Sequence, residues 1–314
     1  MRILVPTSGR ADRTPLHPVI SALRLGCHTV TELALDGAPP HRCAKLTAKE
    51  LRNKYDVLLA LGDRHEMLAA VLAATVARVP VAHIHGGEAS FGSFDNQLRD
   101  AISKLAHVHF VAGEPMRQRL ADIGEQPWRI HVVGAPGLDN LASALRQERK
   151  PEKVFLLTYH PATISPPFNA KTLVDALSRF SDYRVLWTGV NNDPGSERIR
   201  TALSRHYEAQ IIDAEMYHHV MRQSAVVVGN SSSGIIEAPT LGVPTVNIGP
   251  RQDGRVKGPS IIDCAEDTDA IELALRKALD YDGPFDNPYG GPGASARIAK
   301  ILPTANLNLV KRWS

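Results

Sequence analysis

Acidic residues and an arginine lie where two apolar segments in the first third of the chain end. Asp63 follows an apolar run that predicts a strand, and Glu88 follows the next such run. Because parallel strands end at a shared edge, where α/β sites are built, we expect both carboxylates at that edge. Asp95 and Arg99 are four residues apart on the next predicted helix, so they share a face and should form an ion pair. Carboxylates so placed can transfer protons, and solvated loop acids are the simpler alternative.

A second group of polar residues follows the strand predicted at 224–230. The hydroxyls of Ser231 and Ser232, with the N–H groups of a first helical turn, are suited to bind a diphosphate. A helix cap alone is the alternative, but it needs fewer hydroxyls. Glu237, about one turn further on, could accept hydrogen bonds from ribose, and Arg251 could reach the same phosphates.

Two further candidates lie beside predicted strand ends. Arg10 belongs to "TSGRAD" (7–12), a glycine-containing turn that could bind phosphate or could simply be tight. The turn does not match GxGxxG, so the dinucleotide fingerprint is absent. His160 in "LTYHPAT" (157–163) ends the first strand of the second half of the chain, which makes it a catalytic or phosphate-binding candidate.

Four histidines occupy alternate positions of two predicted strands. His83 and His85 point to one side of their strand, as do His107 and His109. Zinc would need a third ligand, for which Glu88 is the available residue. Histidines on buried strands are more often hydrogen-bonded core residues, so we predict no metal site.

Short apolar runs alternate with amphipathic segments along the chain, which is typical of parallel sheets covered on both faces. The runs predict strands at 2–7, 57–62, 80–85, 108–113, 130–134, 153–159, 183–189, 224–230 and 244–249. Helical patterns lie between most of them, for example at 66–77, 95–105, 114–123, 170–180, 195–206 and 214–222.

The apolar pattern is interrupted at 142–153, where charged residues are frequent. Five predicted strands precede this segment and four follow it. This indicates two Rossmann-like domains, at 1–147 and 148–290, with a ligand cleft between them at the strand ends. Residues 291–314 supply a C-terminal helix that could pack back on the first domain.

The composition is that of an ordinary globular protein. Of 314 residues, 43% are hydrophobic and 22% are charged, and the net charge of +3 gives no indication of a nucleic-acid partner. Cys27, Cys43 and Cys264 fit neither a disulfide framework nor a metal knuckle, so we expect a reducing cytoplasm. The N-terminus does not read as a signal peptide, and no apolar run reaches the ~18 residues of a membrane span.

Taken in order, the motifs resemble those of one family. "SGRAD", "LGDRHEMLAAVLAA", "AHIHGGE", "DNQLRDAISKLAHVHF", "VGAPGLDNL", "TYHPAT", "VVVGNSSSGIIEAPTLGVPTVNIGPRQDGR" and "NPYGGPGASARIAKIL" are similar to the hydrolysing UDP-N-acetylglucosamine 2-epimerases. The similarity covers most of residues 1–20 and 57–302. It implies a glycosyltransferase-B-type fold with a UDP-sugar between two domains, no cofactor or metal, and a homodimer.

The resemblance also implies residue roles and a reaction. Active-site positions of the family correspond to Asp63, Glu88, Asp95, Arg99 and His160. Its UDP-binding positions correspond to Arg10, Ser231, Ser232, Glu237 and Arg251. The implied reaction converts a UDP-2-acetamido sugar and water to UDP and the C2-inverted free sugar. UDP-N-acetylglucosamine, giving N-acetylmannosamine for sialic-type or capsule sugars, is the first candidate, and a related diamino sugar nucleotide is the second.

Inversion at C2 requires removal of a proton that no carbonyl acidifies. Departure of UDP from C1 supplies the activation, so we expect anti elimination to a 2-acetamidoglucal, followed by hydration. Two faces need two proton-handling groups, which Asp63, Glu88 and Asp95 can provide. The residues leave open which acid is the base, and whether His160 acts as an acid or as a phosphate contact.

This chain differs from the family pattern in two places. The family has two consecutive acids and an Arg-His pair where this chain has Asp95-Asn96 and Arg99-Asp100. The segment between the second strand and "GDR" is also some fifty residues shorter. Alternative functions are a non-hydrolysing 2-epimerase, a UDP-sugar-dependent glycosyltransferase of the same fold, and a UDP-sugar-binding protein without activity.

Overall fold

Parallel strands alternate with helices through almost the whole chain. The computed structural model describes residues 1–92, 94–161, 170–190, 195–210 and 212–311. In these ranges the strands are β1 Arg2–Thr7, β2 Thr29–Ala34, β3 Val57–Leu61, β4 Val81–Ile84, β5 Val108–Val111, β6 Ile130–Val132, β7 Glu152–Thr158, β8 Arg184–Trp187, β9 Ser224–Gly229, β10 Thr245–Ile248 and β11 Ile261–Cys264.

The helices of the same ranges connect these strands. They are α1 Arg10–Leu25, α2 Pro40–Glu50, α3 His65–Val76, α4 Asp95–Leu105, α5 Glu114–Asp122, α6 Ala142–Leu145, α7 Ala170–Ser178, α8 Ser196–Leu203, α9 Ala214–Gln223, α10 Ser232–Ile236, α11 Thr268–Leu279 and α12 Ala294–Ile301. No helix in the described ranges is long and apolar enough to cross a membrane.

The chain forms two compact units. The N-terminal unit consists of Met1–Glu88, Asp95–Asn140 and Tyr289–Ser314, and the C-terminal unit consists of Ala89–Phe94 and Leu141–Pro288. Each unit contains one parallel sheet, in the order β2-β1-β3-β4-β5-β6 in the first and β11-β10-β9-β7-β8 in the second. The predicted α/β class with parallel sheets is confirmed.

Apolar strand residues form the cores on the sheet faces. In the N-terminal unit, one face of the sheet packs against α1 and α12, with Leu16, Ile298 and Leu302 fully buried. The other face packs against α2 and α3. Because both faces are covered, strands such as β3 are buried along their whole length, which explains their continuous apolar sequence.

The C-terminal segment completes the N-terminal unit. The carboxylate of Asp139 accepts hydrogen bonds from the backbone N–H groups of Gly293, Ala294 (3.2 Å) and Ser295 (2.7 Å), at the start of α12. The guanidinium of Arg129 donates to the carbonyl of Val310 at 2.9 Å. Residues far apart in sequence therefore share one core.

The predicted count of five and four strands is wrong, because each sheet has one further strand. β2 pairs only with β1, and β11 pairs only with β10, so both are edge strands. Their residues are exposed or half-buried rather than fully buried. An edge strand has no need of a continuous apolar run, and for that reason the two were missed.

Candidate active site

The predicted acids of the N-terminal unit and the predicted polar residues of the C-terminal unit lie at the same topological position of their sheets. Each sheet reverses its strand order once, between β1 and β3 in the N-terminal unit and between β7 and β9 in the C-terminal unit. Asp63 follows β3, His160 follows β7, and Ser231 follows β9. Open α/β sheets bind ligands outside the strand ends at this switch point. Arg10 begins α1 after β1, and its side chain lies outside the described part of the structure.

One arginine connects two of the predicted acids in the N-terminal unit. Arg99 is 2% exposed, and its Nη2 forms an ion pair with Oδ2 of Asp63. Its Nη1 donates a hydrogen bond of 3.0 Å to the backbone carbonyl of Glu88. The guanidinium fork thereby holds the Asp63 side chain and the Glu88 main chain at one buried point.

Two glycines let the chain turn tightly between His85 and Glu88. Gly87 has φ 75°, and a Cβ added there would lie 2.3 Å from the carbonyl oxygen of Met116. No other residue type fits this position without moving α5. The turn brings Nδ1 of His85 into a short hydrogen bond with Oε1 of Glu88, whose side chain is 3% exposed.

The other paired histidines are hydrogen-bonded within the sheet. The ring of His83 contacts the carbonyl of Gly62 at 2.8 Å and the hydroxyl of Ser103 at 3.1 Å. Burial lowers the pKa of His83 to about 3, which keeps the ring neutral. His107 Nδ1 accepts a hydrogen bond from the backbone of Val81 at 3.1 Å.

His109 is the fourth of the paired histidines. Its Nε2 lies 3.1 Å from Oε2 of the buried Glu125. No group of three or more His, Cys, Asp or Glu side chains in the described ranges is arranged to hold a metal ion.

The two positions that depart from the family pattern contact each other on α4. Asn96 Nδ2 donates to Oδ2 of Asp100 at 3.3 Å, and Arg119 of α5 donates to the same oxygen at 3.1 Å. Arg119 also contacts Oδ1 of Asn96 at 3.4 Å. Asp95 starts the helix one turn before Arg99, and the predicted ion pair between those two stays a prediction.

Hydroxyl groups are linked in the C-terminal unit where β9 leads into α10. Ser231 caps this five-residue helix by accepting a hydrogen bond from the backbone of Ser233, and its hydroxyl lies 3.0 Å from that of Ser233. The hydroxyl of Tyr217 lies 2.7 Å from Ser233 Oγ. Burial raises the pKa of Tyr217 to about 12, so the phenol is neutral and available as a donor.

Two more predicted residues belong to this part of the unit. Ser232 is the first residue of α10, and Glu237 is its C-cap. Oε2 of Glu237 lies 3.4 Å from Nε2 of His218, which is 4% exposed. Tyr217 and His218 both come from α9, so one helix supports both ends of the Ser231–Glu237 turn.

The backbone of His160 is held by an asparagine on the neighbouring strand end. Asn230 accepts from the N–H of His160 and donates to its carbonyl, both at 2.8 Å. Arg251 Nη1 donates to the carbonyl of Asn230 at 3.1 Å, and Gln252 donates to the same atom at 2.7 Å. Burial, together with the positive charge of Arg251, lowers the pKa of His160 to about 3. The resting ring is therefore neutral and is not a proton donor by itself near neutral pH.

The short segment Ala89–Phe94 belongs to the C-terminal unit and packs on the Arg251 loop. The N–H of Phe91 donates to the carbonyl of Asp253 at 2.8 Å. A Cβ at Gly92 would lie 2.4 Å from the carbonyl of Pro250. The segment Ala89–Phe94 therefore packs against the loop that carries Arg251 within the same unit.

Several supporting residues were not among the sequence candidates. Asn230, Tyr217, His218 and Gln252 each hold a candidate side chain or its backbone, and Ser233 links Tyr217 to Ser231. The sequence could have identified Asn230 as a candidate, since it is the first residue of the motif "NSSSG". Ser233 is in the same motif, whereas Tyr217, His218 and Gln252 had no such signal, because their partners are fixed by tertiary packing rather than by spacing.

Comparisons with known proteins identify the family of the chain. The family model described as UDP-N-acetylglucosamine 2-epimerase matches residues 42–303. The chain is 37% identical over 275 residues to UDP-N,N'-diacetylbacillosamine 2-epimerase (hydrolyzing) of Legionella pneumophila, which covers 81% of this chain and 72% of the relative. It is 32% identical over 283 residues to UDP-N-acetylglucosamine 2-epimerase of Neisseria meningitidis, with coverage of 82% and 74%.

Solved structures show the same fold. The crystal structure of UDP-GlcNAc 2-epimerase from Neisseria meningitidis bound to UDP-GlcNAc superimposes with a TM-score of 0.84, over 97% of this chain and 100% of that one, at 17% identity. The match of the family model over most of the chain, together with the identity to the two relatives, establishes the family. The chain belongs to the UDP-N-acetylglucosamine 2-epimerase family.

Proposed function

We propose that the protein is a hydrolysing 2-epimerase, which converts a UDP-2-acetamido sugar and water to UDP and the C2-inverted free sugar. The observation that carries this proposal is the pair of acids, Asp63 and Glu88, held by the buried Arg99 at the switch point of the N-terminal sheet. The name of the Legionella relative, which includes the word hydrolyzing, supports it.

The acids of the N-terminal unit would act on the sugar ring. In the first step a carboxylate takes the C2 proton, the electrons of the C2–H bond form a C1=C2 bond, and the C1–O bond breaks with its electrons leaving on UDP. In the second step water adds to C1, and a second acid protonates C2 from the opposite face. Asp63, Glu88 and Asp95 are the three groups available for these two proton transfers.

The C-terminal unit would bind the uridine diphosphate. The hydroxyls of Ser231 and Ser232 and the guanidinium of Arg251 would contact the diphosphate, whose charge grows as the C1–O bond breaks. Glu237, supported by His218, would accept hydrogen bonds from the ribose. Arg10 is proposed as a further phosphate contact. The neutral His160 fits a phosphate contact better than a proton donor.

The substrate is proposed to be UDP-N-acetylglucosamine, giving N-acetylmannosamine, or a related 2,4-diacetamido UDP-sugar. The second candidate follows the name of the relative at 37% identity. Both carry the 2-acetamido group and the UDP leaving group on which the two steps depend. We propose that the protein acts as a cytoplasmic homodimer without a cofactor.

The test is proton NMR of the protein with each UDP-sugar in D₂O. Free C2-inverted sugar that carries deuterium at C2, released with UDP, is the expected result. A deuterated, C2-inverted UDP-sugar without release of UDP would replace the proposal with a non-hydrolysing 2-epimerase.

Two other outcomes would overturn the proposal. Transfer of sugar to an added acceptor without deuterium would indicate a glycosyltransferase. Binding of UDP-sugars without any turnover would indicate a binding protein. Heat-denatured protein serves as the control for spontaneous hydrolysis.

A further inference from the structure

His85 has a backbone conformation that is unusual for its position. Its φ is 65°, in the left-handed region, where residues other than glycine are uncommon. The other non-glycine residues with positive φ in the described ranges are Cys27, Lys54 and Arg78, all exposed. His85 is instead largely buried and comes directly after β4. Strain of this kind persists only where the surroundings impose it, and it is frequent at functional sites.

The conformation places the imidazole against a carboxylate. Nδ1 of His85 forms a short hydrogen bond with Oε1 of Glu88, three residues later. An ionised carboxylate can only accept, so Nδ1 carries the hydrogen. The backbone N–H of His85 donates to the carbonyl of Phe110 at 3.0 Å, which fixes the residue to β5.

Two different residues contact Glu88 at its backbone and at its carboxylate. Arg99 binds its backbone carbonyl, and His85 binds its carboxylate. The two glycines between His85 and Glu88 have no side chains of their own to orient the acid. The imidazole is therefore a direct contact through which the orientation of the carboxylate is set.

We infer that His85 is a positioning residue, which sets the orientation of the Glu88 carboxylate for proton transfer at C2. The inference rests on the proposed function, because it assigns His85 a role in that reaction. A proton-transferring group must lie within hydrogen-bond reach of its proton, and misplacement by about 1 Å costs roughly 10²-fold in rate. A residue that only supports the fold would have no such effect on turnover.

Three substitutions separate the side chain from the backbone. His85→Asn keeps an N–H donor at the same distance along the side chain as Nδ1, and asparagine tolerates positive φ. His85→Gly keeps only the backbone freedom. His85→Gln moves the donor one bond further from the backbone. His131→Gln, at a half-buried histidine of β6, is the matched control.

Steady-state kinetics of these variants test the inference. We expect kcat of His85→Asn within about tenfold of the native protein, and kcat of His85→Gly and His85→Gln lower by roughly 10²-fold. KM and the Kd for UDP should change by less than about twofold in all variants, because an interaction made only in the transition state lowers kcat without changing binding. Native kcat for both the Asn and the Gly variant would show that only the backbone matters and would overturn the inference.

A second measurement does not depend on turnover. Nitrogen-15 NMR of histidine-labelled protein reports which ring nitrogen carries the hydrogen. Glu88→Gln should move the Nδ1 resonance of His85 and leave that of His131 in place. An unmoved His85 resonance would overturn the inference even if the protein is an active epimerase.

The two proposals fail in distinguishable ways. Lack of turnover of any UDP-sugar by the native protein would overturn the proposed function, and with it the role of His85 in that reaction, whatever the NMR shows. Full turnover by His85→Gly would overturn the role of His85 alone.

Discussion

The two units hold their candidate residues at equivalent ends of their sheets but by different contacts. In the N-terminal unit the contacts involve charged groups, with Arg99 on Asp63 and His85 on Glu88. At Ser231 and at the backbone of His160, in the C-terminal unit, the contacts are neutral: Asn230 holds that backbone, and hydroxyls link Tyr217 to Ser231 through Ser233. Hydrogen bonds to charged groups contribute about 1.5–3 kcal/mol each, and neutral ones about 0.5–1.5 kcal/mol.

The difference matches the two tasks proposed for the units. A carboxylate that donates and accepts protons needs charged or polar partners that stabilise its ionised form. A group that binds a diphosphate needs donors fixed in place before the ligand arrives, and neutral hydrogen bonds fix them without neutralising Arg251. The position in the fold is shared by the two units, and the local contacts differ.

Asp63→Asn should have the largest effect on turnover, because it removes a charged partner of Arg99 and a candidate proton-transfer group. We expect kcat to fall by about 10²–10⁴-fold. The Kd for UDP, measured by titration calorimetry, should stay within about twofold, since Asp63 is not among the residues proposed to contact UDP. Asp122→Asn, at an exposed acid of the same unit, is the control. Near-normal turnover would remove Asp63 from the catalytic set.

Arg251→Gln, in the C-terminal unit, should weaken the binding of UDP, which Asp63→Asn leaves unchanged. Loss of a charged donor to phosphate is expected to weaken UDP binding by about 10–100-fold, corresponding to 1.5–3 kcal/mol. Titration with UDP measures this directly. Arg276→Gln, which removes an exposed arginine paired with Glu272, should leave the Kd unchanged. If both variants bind UDP equally well, Arg251 is not a phosphate contact.

Acidification should test the buried histidines. Burial lowers the pKa of His107 to about 4. Between pH 7 and 5, His107 therefore becomes protonated in the unfolded chain but stays neutral in the folded protein. Stability therefore falls as pH falls, by about 2 kcal/mol for this one residue over that range. His107→Asn should reduce the pH dependence of the free energy of urea unfolding by that amount.

An exposed histidine provides the control for the acidification experiment. His41→Asn, at a histidine exposed to solvent, is the matched substitution. If the His107 and His41 variants have the same slope against pH, then burial does not control the pKa of His107.

The smallest effect is expected at the positions that depart from the family pattern. Arg119 and Asp100 are about a third exposed, so Arg119→Gln should cost less than about 1 kcal/mol of stability. Thermal unfolding measures the stability, and kcat should stay within a few-fold. A fall in kcat of more than tenfold would show instead that the Asn96–Asp100–Arg119 contacts position the start of α4.

Much of the fold could be predicted from the sequence because buried strands have a simple signature. Strands β1 and β3, covered on both faces, are continuous apolar runs, and their predicted limits agree with the structure within a residue. Edge strands β2 and β11 combine apolar with polar residues, and pattern alone could not separate them from loops. The information that makes them strands lies in the neighbouring strand.

The candidate site was predictable in part. The acids and serines could be located because they follow strands, and strand ends of a parallel sheet share an edge. The hydrogen bond between His85 and Glu88 could not, because it depends on a positive φ that histidine rarely adopts. Nor could the pairing of Tyr217 with Ser233, since it requires α9 to lie beside α10.

The position of α12 has a consequence for the order in which the protein is completed. The core of the N-terminal unit includes Ile298 and Leu302, and Asp139 lacks the N–H groups of Gly293 and Ser295 until the end of the chain is present. The residues of the C-terminal unit all precede Tyr289. During synthesis on the ribosome, the unit that begins the chain is therefore the last to obtain its complete core.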